Sequence, residues 1–177
     1  MAAMKGMLHI DVSHCTGCKT CELECGIAHS KAMTLVGILK DGEKAQQRIF
    51  VEPAGAMAVP LQCRHCEDAP CIAACPTRAM HRFGQGYPVL VEEELCIGCR
   101  ACVAVCPFGV VFMGRVGKVV LKCDLCIRRL AQGQKPACAA GCPTHAISFL
   151  APEAVAAGSR RKAAESFLVA IERGGAK

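Results

Sequence analysis

Cys96-Ile97-Gly98-Cys99-Arg100-Ala101-Cys102-Val103-Ala104-Val105-Cys106-Pro107 carries cysteines in the order C-x2-C-x2-C-x3-C and closes on proline. Three thiols, each two residues from the next, let a tight loop wrap three corners of an iron–sulfur cubane. Gly98 is expected to bring the backbone close to the inorganic core, where a Cβ would crowd it. Cys106 lies about one helical turn further on and points elsewhere. In runs of this kind that last cysteine ligates a second cluster. Pro107 then redirects the chain.

Working outward, all 16 cysteines of the 177-residue chain fall into groups of four. Cys15, Cys18, Cys21 and Cys25 come first, then Cys63, Cys66, Cys71 and Cys75. The quoted run is third, and Cys123, Cys126, Cys138 and Cys142 are fourth. A disulfide framework has no reason to repeat C-x2-C in every group. Four thiolates per cubane give four [4Fe–4S] clusters. Structural zinc, in tetrahedral sites of four thiolates, would also use every thiol. Yet C-x2-C-x2-C crowds three ligands into one short loop, which suits the corner of a cubane better.

The formal charge of +6 treats each cysteine as neutral. With thiolates and oxidised cluster cores counted, the loaded chain falls to about −2. The basic sum is therefore no argument for nucleic acid; it compensates anionic clusters. Cluster binding is expected to supply much of the folding free energy. Met1 to Leu8 has neither an apolar signal core nor twin arginines. No run approaches the ~20 apolar residues that span a bilayer. A cytoplasmic setting without direct membrane insertion is the expectation.

The groups are of two kinds. Ile10-Asp11 precedes Cys15 as Val91-Glu92 precedes Cys96, and Gly17 matches Gly98. Leu61-Gln62-Cys63 parallels Leu121-Lys122-Cys123, and Pro76-Thr77-Arg78-Ala79 parallels Pro143-Thr144-His145-Ala146. The fold expected is α+β: two ferredoxin-like units of short hairpins and helices, one inserted in the other. Residues 63–107 form the central unit, 1–62 with 108–150 the outer one, and 151–177 a helical tail. Crossed ligation then gives cluster A on Cys15, Cys18, Cys21 and Cys142, and cluster B on Cys63, Cys66, Cys71 and Cys106. Cluster C takes Cys96, Cys99, Cys102 and Cys75, and cluster D takes Cys123, Cys126, Cys138 and Cys25. Pairing of consecutive groups stays open as the alternative.

Strands are expected at Leu8 to Val12, Arg48 to Glu52 and Val89 to Val91, with hairpins through Gly84-Gln85-Gly86 and across Gly114 and Gly117. In the tail, Pro152-Glu153 starts a helix and Ser159 caps a second, which Gly174 ends. Its apolar stripe, Phe167, Leu168 and Ile171, packs on the body or docks a partner. Tyr87 and the phenylalanines read as core. Lys19, Arg64, Arg78, Arg100, Lys122, Arg128 and Arg129 read mainly as solvated faces offsetting cluster charge. His65 sits inside a ligand loop, beside a cluster rather than on iron.

Cys63-Arg64-His65-Cys66-Glu67-Asp68-Ala69-Pro70-Cys71 with Cys75-Pro76 resembles the second motif of the four-cluster ferredoxin-like electron-transfer subunits. Lys122-Cys123-Asp124-Leu125-Cys126, with Arg129, Gly133, Pro136-Ala137-Cys138 and Cys142-Pro143-Thr144, resembles their fourth. Gly26 departs from that pattern, which has proline. The resemblance implies a non-catalytic subunit that passes single electrons between a larger catalytic oxidoreductase subunit and an acceptor such as a flavin or a ferredoxin. Cys25-Gly26-Ile27-Ala28-His29-Ser30-Lys31 and the short chain look most like the soluble types, serving tungsten aldehyde oxidoreductase first and carbon monoxide dehydrogenase second. Formate dehydrogenase and hydrogenase partners are further alternatives. No nucleophile, general base or substrate pocket is evident. A freely diffusing ferredoxin and self-association that extends the path both stay open.

Overall fold

A short strand near each end of the cysteine-bearing sequence decides how the chain closes. The computed structural model describes residues 6–115 and 117–174, the side chains of 172–174 apart. β1 (Met7–Ile10) leads into one 3-10 turn, Val12–His14, which Asp11 opens by accepting the Ser13 amide at 3.2 Å. α1 (Thr20–Ala28) buries Cys21 and Cys25, one turn apart on one face. α2 (Leu35–Asp41) is capped by Thr34, whose hydroxyl accepts the Gly37 N–H at 3.1 Å, and is stopped by left-handed Gly42. β2 (Ile49–Ala54) and β3 (Met57–Gln62) form a hairpin that turns at left-handed Gly55.

Next come α3 (Pro70–Ala73), β4 (Met80–His81), β5 (Leu90–Val91), α4 (Ala101–Ala104), β6 (Phe112–Met113) and β7 (Val120–Leu121). Then follow α5 (Ile127–Ala131), α6 (Ala137–Ala140), β8 (Ile147–Leu150) and α7 (Pro152–Gly174). Strands pair only two at a time among the described residues. In β1–β8, Met7 faces Leu150 and Ile10 faces Ile147. Beyond it the Asp11 N–H reaches the Ala146 carbonyl at 2.8 Å. β4–β5 repeats the device: Met80 faces Val91, and the Glu92 N–H reaches the Ala79 carbonyl at 2.7 Å. The sequence repeat thus returns as the same two-strand ladder, used twice.

Two main cores accompany the two ladders. Leu8, Ile49, Val51, Leu125, Ala146 and Ile147 pack with Cys21, Cys25, Cys138 and Cys142. Met80, Val89, Val111 and Val120 pack with Cys71 and Cys102. α1 lies against α6 in the first, α3 against α4 in the second. Cys63, Val110 and Cys123 form a smaller third core.

The tail departs from expectation. α7 is one helix rather than two, and Ser159 caps nothing: its hydroxyl donates back to the Val155 carbonyl at 3.1 Å. That local bond lets serine sit inside a helix. Phe167, Leu168 and Ile171 are exposed rather than packed on the body. The Lys162 ammonium reaches the Asp11 carboxylate at 2.5 Å and ties the helix back near β1. Phe83 and Phe108 are exposed too, whereas Phe50 meets Phe112 edge to face at 5.2 Å. No helix among the described residues is long and apolar enough to cross a membrane.

Gly98 also has a reason in the fold itself, beside the expected one. Its φ is +70°, and a Cβ there would stand 2.5 Å from the Lys118 carbonyl oxygen. Gly98→Ala therefore lowers anaerobic stability by about 1–3 kcal/mol. Gly158→Ala, in open space on α7, is neutral or favourable by up to about 1 kcal/mol. Denaturant titration of both variants checks the contrast, and equal losses would reject it.

Candidate metal centres

The local device that aims the thiols is the Cys-Pro turn. In Cys75-Pro76-Thr77-Arg78, Cys106-Pro107-Phe108-Gly109 and Cys142-Pro143-Thr144-His145, the last residue is left-handed, at φ 58°, 62° and 55°. Its N–H bonds the cysteine carbonyl at 3.3 Å in each. Proline fixes the turn's second residue and cannot donate, so the chain leaves the helix there. Two of these turns send the chain back as a strand, β4 or β8. The amide of Met80 then meets Cys75 Sγ at 3.5 Å.

Cys75, Cys96, Cys99 and Cys102 line one cavity with Met80, Val91 and Val120. Cys15, Cys18, Cys21 and Cys142 line a second with Val51 and Ile147. Burial, with the Cys142 and Cys15 thiols beside it, pushes Cys21 up to about 11. Cys71 is raised by burial first, then by its neighbours Cys63 and Cys106. Cys63 and Cys66 line a third, larger cavity. Cys138 is raised by burial and by Cys123, Cys25 and Cys126 around it. Cys126 is likewise pushed up to about 11 by burial, with Asp124 and Cys25 adding to it. Several of these thiols thus have near neighbours in other cysteine groups. Cys21 of the first set also lies near Cys138 of the last.

The donor chemistry fits an iron–sulfur core. Soft thiolates crowded in fours repel one another and lose hydration when buried. A cationic core removes both penalties. Backbone amides already point at sulfur: Arg48 to Cys25 at 3.2 Å, His65 to Cys63 and Leu125 to Cys123 at 3.4 Å. Such bonds stabilise thiolate and set cluster potential. Gly17 and Gly98, both left-handed, are followed two residues on by left-handed Lys19 and Arg100, which start α1 and α4. The equivalent loops curl alike around their cavities.

The departure at Gly26 has a structural counterpart. Without proline, α1 continues past Cys25 to Ala28 and delivers His29. His29 Nδ1 lies 2.8 Å from the Cys25 carbonyl, and Nε2 lies 2.9 Å from Asp124 Oδ1. Arg48 pairs with the other Asp124 oxygen at 3.0 Å, and the Cys126 amide donates to Oδ1 at 2.9 Å. Burial opposes charge on His29, but the bonds to Asp124 and Cys25 hold it up at about 9. The same histidine and arginine hold the Asp124 carboxyl well below the usual range against the pull of burial. This clamp joins groups one and four across 95 residues. Its only trace in the sequence is the missing proline.

His65 is half-buried and accepts the Val89 N–H through Nδ1 at 3.1 Å. Burial, then the nearby Lys122 charge, pushes it down to about 3, so the ring is neutral. Its Nε2 has no hydrogen-bond partner among the described residues. Lys122 contradicts the solvated reading, being 3% exposed. Tyr87 is half-buried and lines the third cavity.

Residues 55–151 match the 4Fe-4S dicluster domain. The chain belongs to that family. An iron–sulfur protein of Rhodospirillum rubrum is 40% identical to this dicluster protein over 156 residues, covering 81% of each. The B subunit of anaerobic dimethyl sulfoxide reductase from Escherichia coli is 37% identical over 145 residues, 79% of this protein and 70% of that one. Among solved structures, the active-site complex BamBC of benzoyl-coenzyme A reductase with benzoyl-CoA gives a TM-score of 0.42 at 21% identity, covering 82% of this protein and 78% of its own length. That likeness is too slight to bear on fold or function.

Asp124→Ala strands His29 and Arg48 together. The loss expected is about 3 kcal/mol of stability, with broadening of one cluster's electron paramagnetic resonance signal. An unchanged denaturation midpoint would show that the clamp is idle.

Proposed function

We propose that this dicluster-family protein is a four-cluster electron relay, working beside a larger catalytic oxidoreductase subunit. The observation that supports the reading is the meeting of cysteines from distant parts of the sequence: 15, 18, 21 and 142 line one cavity, and 75, 96, 99 and 102 line another. Cysteines 15, 18, 21 and 142 would hold one cluster, and 75, 96, 99 and 102 another. Cysteines 63, 66, 71 and 106, and 25, 123, 126 and 138, would hold the inner two. Each bound cluster supplies a one-electron site whose potential follows charge, burial and hydrogen bonds to sulfur.

The protein's own residues arrange those sites. Cys21 and Cys25 on α1, and Cys138 and Cys142 on and just after α6, link the first group to the last. Cys71 and Cys75, with Cys102 and Cys106, link the second to the third. Cys63 and Cys123 share a small core with Val110. The order along the path is then group three, group two, group four, group one. Exposed Cys18 and Cys99 stand at its two ends, where electrons enter and leave.

For the partner, the stretch from Cys25 to Lys31 supports a tungsten aldehyde oxidoreductase. The similarity to the B subunit of dimethyl sulfoxide reductase supports a second reading, a reductase of that kind. A cytoplasmic setting, with a flavin or a ferredoxin as acceptor, completes the proposal.

Anaerobically prepared protein is expected to carry about sixteen irons per chain, at four irons per cluster. Cys142→Ala is expected to lose up to about four of them and to change the signal of group one's cluster. Loss confined to group three's cluster would overturn the crossed scheme, and far fewer irons in the wild type would overturn the relay. The isolated protein is expected to accept electrons from dithionite yet to oxidise neither aldehyde nor carbon monoxide. Steady turnover of either would reject a non-catalytic role.

A further inference from the structure

We infer that Lys122 is a fixed buried cation at the middle of the relay, set between the two inner clusters so that both are easier to reduce than the outer two. The inference rests on the four-cluster reading above. It starts from an electrostatic anomaly. Lys122 is 3% exposed, and among the described residues it makes no ion pair with a carboxylate. Its ammonium donates to two carbonyls, those of Val89 and Cys123, the latter at 2.9 Å. Carbonyl dipoles solvate an ammonium in part, but they carry no net charge. A buried lysine needs a counter-ion or its burial is strongly unfavourable. The neighbouring acid, Asp124, is already held by Arg48 and His29.

Thiolate clusters are the anions that remain. Lys122 is next to Cys123 of the fourth group, which shares a small core with Cys63 of the second. Those two cysteines belong to different inner sets. Val89 fastens the cation in place: its carbonyl accepts from Lys122 while its N–H donates to His65, which lies between Cys63 and Cys66. The ammonium is thus tied to groups two and four at once. Each cluster gains one negative charge when it takes an electron, so a cation at close range in a poorly screened interior favours the reduced form. The outer sets open to water at exposed Cys18 and Cys99, which screens charge there.

Lys122→Met and Lys122→Arg in the full-length protein, loaded with iron and purified without oxygen, test this. A dithionite titration followed by electron paramagnetic resonance supplies one electron per cluster, with no bond made or broken. Lys122→Met is expected to shift the reduction equilibrium of two clusters at least tenfold towards the oxidised form, which is about 59 mV for a one-electron couple. The other two should stay close to wild type, and Lys122→Arg should keep all four. If Lys122→Met fails to load iron, Lys122→Gln takes its place. Loading by Lys122→Arg but by neither neutral variant would itself support a counter-ion role. Four unchanged potentials in a fully loaded Lys122→Met protein would overturn the inference and leave the relay standing. Equal shifts in all four would also overturn it, as a general charge effect. A wild type without four clusters would instead remove the relay.

Discussion

The pairing of β1 with β8 is the contact through which the rest of the molecule is assembled. Four residues at one end of the cysteine-bearing sequence meet four at the other, from Met7 opposite Leu150 to Ile10 opposite Ile147. So short a ladder is weak by itself, because an isolated two-stranded pair is marginal in water. Closing a loop of this length also costs chain entropy. The ladder persists because α1 and α6 pack in the same core and because the His29–Asp124–Arg48 clamp fastens the same two groups. In the metal-free protein, burial makes the thiolate form of Cys21, Cys126 and Cys138 costly. A cationic core that takes those thiols as thiolates reverses that cost. Folding and cluster uptake are in this way one equilibrium.

Much of this is legible in the cysteine spacing. The four groups, their two kinds, the hairpins between them and the strands ahead of Cys15 and Cys96 all return as elements. The reason is that short-range chemistry dictates them: proline ends a helix, glycine permits a left-handed turn, and thiol spacing fits a loop. What is not legible involves groups distant in sequence whose pairing has no period. His29 finds Asp124 from 95 residues away, and Lys122 finds Val89 from 33. The tail departs from its sequence reading for a related reason. Ser159 is a good cap in isolation, but it also bonds within a helix, and nothing local decides between the two. Gly98 lies in the expected loop, yet its closest neighbour is the backbone of Lys118, far along the sequence and invisible to any local pattern.

Two groups of exposed apolar residues lie on helices away from the cysteine groups. Leu35, Val36 and Leu39 on α2, and Phe167, Leu168 and Ile171 on α7, face outward, while both cores are filled largely by valine, isoleucine and cysteine. Small aliphatic residues and thiols pack closely around compact sites. Larger side chains have little room there, which explains why several phenylalanines stand outside the cores that composition alone would assign to them. α7 extends this pattern, held by one exposed ion pair to Asp11 rather than by buried area.

The repeat is near, but its breaks are where the chemistry differs. Gln62 and Lys122 occupy matching places before Cys63 and Cys123, and both are almost wholly buried. One is neutral, with its Oε1 lacking a hydrogen-bond partner among the described residues; the other is charged and holds two carbonyls. A symmetric pair of cations at this point would repel each other in a medium that screens poorly. A symmetric pair of amides would leave the inner thiolate sets without a counter-ion. A single charge on one side avoids both outcomes and still reaches both inner sets, because Cys63 and Cys123 share one small core. In the proposed relay, the asymmetry between otherwise matching halves thus has an electrostatic reason.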